Sequence, residues 1–430
     1  MMEAVMAVFG TSGNDQMTIN GNLFTLNGLT SINPDNKSIY GGKGNDTIIV
    51  MNESKDTVDI HGEKGRDIIL SSAKNNGAPS GLVLVDVDNP CGPGTLKTLA
   101  TTQYISGGTQ SDVMAAFHTP DVLGVQTNVF IGDSRLFSNP TNGTLAQNAN
   151  DCGECGSHHS HSSRNVFLEG GHDLVHGTKT SGDVNILELR GYGWSIRLDD
   201  GHMVTASEIM GNDVNLSTMK SGVALVNLTG SSSAGENGLY TITFDHINKI
   251  HFTDGGLGGS NTSLGLVDST DPVPATVSLT AVDTIATAKG SAYFGKDVNL
   301  NFNASNKADL IHAGDGNKTI NAKNGDDTLV AGNGNQVLMG DNGSDIFSFR
   351  SDVNTALTNI YTVKGGNGDN WIDLSGFNQS SVLIHLSTGA NTTVNTFTQQ
   401  DVMNIAGGVS GSIKAGNATI NFDHISKVIY

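Results

Sequence analysis

Positive charge is scarce in this chain. Lys and Arg total 23 against 42 Asp and Glu, and the net charge is −19. Such a surface repels nucleic acid and anionic lipid and attracts cations. Cysteine is scarcer still: Cys91, Cys152 and Cys155 are too few for a disulfide framework. Eight prolines beside 55 glycines without a strict period exclude collagen. Heptads of Ala, Glu, Lys, Leu and Arg are absent, which excludes a coiled coil. No run of 18 apolar residues occurs, so no helical membrane span is expected. The opening stretch from Met1 to Phe9 is apolar but short, carries Glu3 and has no basic region, so it reads poorly as a Sec leader.

What is present is periodic. Phe302, Ile311, Ile320, Leu329, Leu338 and Phe347 follow one another at intervals of nine. Neither a helix nor a simple alternating strand gives that spacing. Two positions before each come Leu300, Asp309, Lys318, Asp327, Gln336 and Asp345, and Gly316, Gly325, Gly334 and Gly343 stand four before the last four. The fullest copy is Gly41-Gly42-Lys43-Gly44-Asn45-Asp46-Thr47-Ile48-Ile49. A looser set holds Gly10 to Asp15 and Gly62 to Asp67, with a spacing that drifts from Asp46 to Asp56 to Asp67.

This pattern resembles the hemolysin-type calcium-binding (RTX) nonapeptide repeat, of the kind found in surface-layer and adhesin-like structural proteins. The resemblance implies an all-β fold: a parallel β-roll, or β-solenoid, whose glycine turns bind Ca²⁺. Two nonapeptides would complete one coil, so Asp309, Asp327 and Asp345 are expected on one edge, with ions between successive pairs. Carbonyls of the turns would complete an all-oxygen shell, from Gly314, Gly316, Gly325, Gly332, Gly334 and Gly343, with Asp15, Gly42, Gly44, Asp46 and Asp67 serving the first block. On the opposite edge, Leu300, Lys318 and Gln336 cannot replace an Asp, and the Lys318 ammonium is expected where an ion would otherwise sit.

A second level of repetition joins Thr241–Phe252 to Thr419–Tyr430, identical at seven of twelve positions, and Asn185–Tyr192 to Asn370–Phe377. The reading is two duplicated copies. Residues 1–75 form a degenerate β-roll, 76–163 an insertion, 164–252 a β-rich module, 253–290 a linker, 291–349 a second β-roll and 350–430 a second β-rich module. His246 and His424 recur in the duplicated strand and read as packing residues. Both ends of the solenoid are expected to be uncapped.

Within the insertion, Cys152, Cys155, His158 and His161 crowd into ten residues. That chemistry suits Zn²⁺ or Cu, a local disulfide in an oxidising compartment, or a plain polar loop. Enzyme motifs are sparse: no His-Glu-x-x-His and no Gly-x-Ser-x-Gly occurs, and Gly132-Asp133-Ser134 lacks an Asp-x-x-His partner. The leading expectation is therefore a secreted structural protein of the bacterial cell surface, assembling head-to-tail with itself or binding cell-surface polysaccharide, without nucleic acid. The family implies type I secretion, although Thr419 to Tyr430 reads as a core strand. The alternatives are a hydrolase or polysaccharide-modifying enzyme with its active site in 76–163, and a ligand- or ice-binding module.

Overall fold

The computed structural model of the chain describes residues 8–20, 23–32, 38–52, 58–73, 99–109, 111–118, 124–133, 171–180, 182–190, 194–204, 208–210, 213–228, 238–252, 282–286, 290–350, 358–377, 381–388, 391–398, 400–405 and 409–430. Among these residues there is no α-helix, and the strands pair mostly in parallel.

In the N-terminal half, successive strands alternate between two ladders. One stacks β1 (Val8–Phe9), β5 (Ser38–Lys43), β7 (Val58–Lys64), β9 (Leu99–Thr109), β11 (Gly124–Asp133) and β13 (Val184–Arg190). The other stacks β2 (Gln16–Asn20), β6 (Thr47–Asn52), β8 (Ile68–Ala73), β10 (Val113–His118) and β12 (His172–His176). The long strand β16 (Gly238–Phe252) pairs with both β12 and β13 and joins the ladders into one 16-stranded sheet. Antiparallel strands flank it: β3 (Leu23–Leu26) and β4 (Leu29–Ile32) beyond β2, with β14 (Ser195–Leu198) and β15 (Asp213–Leu228) against β16.

The C-terminal half repeats the alternation in two 8-stranded sheets. The first orders β17 (Val282–Ala286), β18 (Gly290–Gly295), β20 (Ala308–His312), β22 (Thr328–Val330), β24 (Ile346–Ser348), β26 (Trp371–Asp373), β32 (Lys427–Ile429) and β29 (Val402–Asn404). The second orders β19 (Leu300–Asn303), β21 (Lys318–Asn321), β23 (Gln336–Asn342), β25 (Ile360–Asn367), β31 (Ala418–Asp423), β30 (Ser410–Ala415), β27 (Ser381–Thr388) and β28 (Asn391–Thr398).

The nine-residue period sets this arrangement. Each repeat supplies a turn and a strand of a few residues, and its periodic apolar side chain is the one turned inward. Ile311, Leu329 and Phe347 from one ladder meet Phe302, Ile320 and Leu338 from the other in a single core. The turns require glycine where they stack backbone on backbone. Gly343 has φ 138°, and a Cβ there would stand 1.8 Å from the Gly325 carbonyl. Gly65 repeats this against Gly44, also at 1.8 Å. No other residue type fits either position.

The span 76–163 shows no nine-residue period, yet its described residues form β9, β10 and β11 within the same sheet. Residue offsets between stacked strands explain this. Asp46 and Asp67 are 21 apart, Asp67 and Asp112 45 apart, and Asp112 and Asp173 61 apart. Within the ladder Ile105, Met114 and Phe130 are fully buried.

The ends differ from the sequence expectation. The last strand is no bare edge, because β29 pairs antiparallel with β32 and β30 with β31. At the first turns, antiparallel β3 covers β2 and β17 covers β18, and among the described residues the three sheet paths end on β1 and β4, on β17 and β29, and on β19 and β28.

The two halves pack face to face. Ile68, Leu70, Val113 and Leu174 from the N-terminal half share a core with Leu310, Val330, Ile346 and Trp371 from the C-terminal half. Across this seam Arg66, just before β8, lies over Trp371 of β26, with its guanidinium carbon 4.0 Å from the ring centroid. Thr328 of β22 donates to the His172 carbonyl of β12 at 3.4 Å. β12 also reaches β26, through His176 and Asp373 at 2.9 Å, so it runs across several strands of the C-terminal half.

Candidate metal centre

Each half carries one column of aspartates, at the turn that enters a seam-facing strand. In the C-terminal half, Ser291 N–H donates to Asp309 Oδ1 at 2.8 Å, Asp309 N–H to Asp327 Oδ1 at 2.8 Å, Asp327 N–H to Asp345 Oδ1 at 3.0 Å and Asp345 N–H to Asn370 Oδ1 at 2.9 Å. In the N-terminal half the same bond runs from Asp15 to Asp46 to Asp67 to Asp112 to Asp173, at 2.8, 2.8, 2.6 and 3.1 Å. One side-chain oxygen of every residue after the first in each column is thereby committed to the N–H of the turn before it.

The other oxygen is what makes these columns unusual. Oδ2 of Asp46, Asp67, Asp327 and Asp345 is buried and accepts no hydrogen bond. Buried polar atoms are ordinarily satisfied, and an orphan of this kind calls for an ion. Glycine opens the space: a Cβ on Gly340 would lie 1.9 Å from Asp345 Oδ2, and one on Gly41 would lie 2.7 Å from Asp46 Oδ2. Among the described residues no three His, Cys, Asp or Glu side chains converge on one point. The columns therefore offer one carboxylate per turn, and main-chain carbonyls must supply the rest of a shell. Hard oxygen donors of that type suit Ca²⁺.

Electrostatics agree. Burial pushes the Asp327 carboxyl up to about 10, and the Asp345 and Asp309 charges add to the rise. Burial likewise takes Asp46 and Asp345 to about 7, Asp67 to about 8 and Asp309 to about 6, against the opposing pull of hydrogen bonds. A cation beside them would favour the charged form, most of all at Asp327 and Asp67.

The opposite edge shows where such a cation would sit. Lys318 Nζ donates to the carbonyls of Lys296 at 2.8 Å and Val298 at 2.6 Å in the preceding turn, and to Asp315 in its own turn. Gln336 Nε2 donates at the equivalent places, to Gly314 at 2.9 Å, Gly316 at 3.2 Å and Asn333 at 3.4 Å. Side-chain N–H donors fill on this edge the carbonyl cage that the Asp edge leaves to an ion. The anticipated ligands consequently divide. Asp309, Asp327 and Asp345 share an edge with Gly325 and Gly343. Gly314, Gly316, Gly332 and Gly334 belong to the Lys318–Gln336 edge, where the first two carbonyls are bound by Gln336 and that of Gly332 accepts Tyr361 O–H at 2.9 Å. In the first half Asp15, Asp46 and Asp67 stand in one column, with Gly42 and Gly44 in the turn before Asp46. Asp15 and Asp309, at the start of the columns, differ: Asp15 Oδ2 accepts the Thr11 N–H, and Asp309 Oδ2 accepts the Ser305 N–H at 2.9 Å and the Ser305 hydroxyl at 2.7 Å.

Asp112 and Asp173 continue the N-terminal column although spacing did not single them out. For Asp112 a signal existed: Gly107-Gly108-Thr109-Gln110-Ser111-Asp112-Val113-Met114-Ala115 is a nonapeptide with Gln at its third glycine position. For Asp173 the signal is shorter: Gly171-His172-Asp173-Leu174-Val175 keeps a glycine four positions and the Asp two positions before a buried apolar residue. Cys152, Cys155, His158, His161 and Ser134 lie outside the described residues; Gly132 and Asp133 end β11. His246 and His424 each take a left-handed backbone, at φ 56° and 55°, and their carbonyls accept Asn185 Nδ2 and Asn370 Nδ2 at 2.7 and 3.2 Å.

None of the curated proteins compared with the chain matches it. A family model does match, in four copies at residues 38–50, 301–329, 312–347 and 321–355. Three of the copies span the Asp309–Asp345 column and the fourth contains Asp46; the model describes the RTX calcium-binding nonapeptide repeat, which is the repeat this chain carries.

Proposed function

We propose that the chain is an extracellular, calcium-stabilised structural protein of the bacterial cell surface: a β-roll, built as two duplicated copies, that assembles with itself or adheres to surface polysaccharide. The observation that carries the reading is the set of buried, unpartnered carboxylate oxygens in both columns. They tie folding to a divalent cation that is abundant outside cells. Duplication is supported by the matching left-handed His246 and His424 and their matching asparagine partners. The seam supports a structural role, because each half spends an apolar face on the other. Self-association would use sheet edges such as β1 and β19, with calcium or salt screening the −19 charge. Export by type I secretion goes with the repeats, and no described helix is long and apolar enough to cross a membrane. Light scattering and electron microscopy with and without Ca²⁺ test the proposal. Ordered particles or a rising mass in Ca²⁺ support assembly; a persistent monomer that also fails to bind surface polysaccharide overturns it.

A further inference from the structure

The Asp columns lie where the seam strands of the C-terminal half begin; a cleft lies where those strands end. It measures about 270 Å³ and opens between the paired β14 and β15 of the N-terminal half and the turns at the ends of β18, β20 and β22. That volume stands just below the usual range of ligand pockets, about 300–1,000 Å³, and leaves room for one substituted ring.

Two contacts across the seam build the cleft. The Arg197 guanidinium of β14 lies 4.6 Å from the ring centroid of Phe294 of β18. Arg350 Nη2, just beyond β24, donates to Asp199 Oδ2 at 2.8 Å, and the Arg350 side chain is only 8% exposed. Neither half forms the cleft alone. Leu198, Val223, Phe294 and Val330 give it a buried apolar part. Asp297 at its mouth is exposed, while Asp315 and Asn333 are half-buried. Stacked turns fix these groups: Asp315 N–H donates to Asp297 Oδ1 at 2.8 Å, and Asn333 N–H donates to Asp315 Oδ1 at 2.7 Å.

Such a lining disfavours a strongly charged ligand. A divalent cation would meet the guanidiniums of Arg197 and Arg350, and no three acidic or histidine side chains converge on one point among the described residues. An anion would meet the carboxylates of Asp199, Asp297 and Asp315. The lining fits a neutral molecule that donates and accepts hydrogen bonds and also carries an apolar face. A sugar ring has both properties. Each hydroxyl offers one donor and two lone pairs, so it can donate to a carboxylate and accept from a guanidinium, while the ring C–H groups cover apolar surface.

We propose that the seam cleft binds one neutral sugar unit of a surface polysaccharide, its hydroxyls held by Asp297, Asp315 and Arg197 and its C–H face on Leu198 and Val330. The proposal deepens the adhesive reading above and rests on it. Because both halves line the site, a bound sugar also clamps the seam.

Calorimetry on the full chain in millimolar Ca²⁺ tests this, with the methyl glycosides of glucose, galactose, mannose and N-acetylglucosamine as probes and galacturonic acid as the charged comparison. At least one neutral glycoside should bind and raise the melting temperature, and galacturonic acid should bind more weakly. Asp315→Ala should weaken sugar binding about tenfold, the scale of losing a hydrogen bond to a charged group, and leave the calcium stoichiometry unchanged. Should Asp315→Ala fail to fold, Asp297→Ala at the exposed mouth carries the same expectation. Asn301→Ala, on the outer ladder, should bind as the parent does. Folded cleft variants that bind sugar undiminished overturn the cleft as the site. A chain that binds none of the glycosides, or prefers the uronic acid, overturns the proposal as well. In each case the adhesive reading stands if the chain still binds intact surface polysaccharide, and falls if it does not.

Discussion

His176 of β12 and Asp373 of β26, 197 residues apart in sequence, meet at 2.9 Å in the middle of the seam. The other ring nitrogen of His176 donates to Asp245 at 2.7 Å, and all three side chains are almost wholly buried. Asp245 also accepts from His246, and Asp373 from Ser348 and Ser375. Lys179 closes the site from one side by donating to the Gly376 carbonyl. One imidazolium thus bridges a carboxylate from each half of the chain.

Removing it should be costly. His176→Gln strands two buried carboxylates, and breaking a buried ion pair in that way costs about 3–5 kcal/mol. Urea unfolding in Ca²⁺ should show a loss of that size; a change below about 1 kcal/mol would mean that water fills the site without penalty.

The same triad sets a pH dependence. Burial alone would lower the His176 pKa, but Asp245 and Asp373 outweigh it and hold it up to about 10. A histidine raised from 6.5 stabilises the fold fully below that value and gives the stability up as pH climbs through about 10. Asp373 is held below its ordinary 3.8, so its share is present above that pH and fails in acid. Melting temperature in Ca²⁺ should therefore fall from pH 7 toward pH 10, and His176→Gln should flatten that slope. An equally steep fall in the variant would assign the effect to other groups.

The seam predicts an asymmetry between ladders. Ile346 is fully buried against the opposite half, and Ile346→Ala should cost about 2–5 kcal/mol. Asn301 on the outer ladder is exposed, and Asn301→Ala should stay within about 0.5 kcal/mol. Equal losses in chemical denaturation would contradict the packing.

The sequence made some of this legible and hid the rest for identifiable reasons. Counting by nine found one inward residue per repeat, such as Leu329 or Phe347, and the Asp column at intervals of eighteen. The second apolar face was also written there. Leu310, Val330 and Ile346 flank the inward residues on the Asp side, whereas Thr319 and Asn321 do so on the other. A reading confined to one apolar position per repeat passes over that difference. The N-terminal column was harder, because offsets of 21, 45 and 61 residues break any fixed period. The described strands keep a continuous parallel register where the periodicity does not survive. His176, Arg66 and Trp371 carry no motif; only the fold brings them together.

On the edge without aspartates, Lys318 should behave as a built-in ion. Lys318→Met leaves three turn carbonyls without their donor, a loss of about 1–3 kcal/mol for an unsatisfied buried group. Differential scanning calorimetry should show the loss equally in Ca²⁺ and in chelator, since this edge takes no ion. A loss that appears only in chelator would contradict the assignment.

The central claim is that calcium completes the Asp columns, and thermal unfolding in EDTA and in millimolar Ca²⁺, on the native chain and on Asp327→Ala, tests it most directly. Each site filled at a hundredfold excess over its Kd adds about 2.7 kcal/mol. The native chain should therefore melt well above its EDTA temperature, and Asp327→Ala, which removes the mid-column carboxylate, should lose much of that increment. Identical melting curves in Ca²⁺ and EDTA for the native chain would contradict the account.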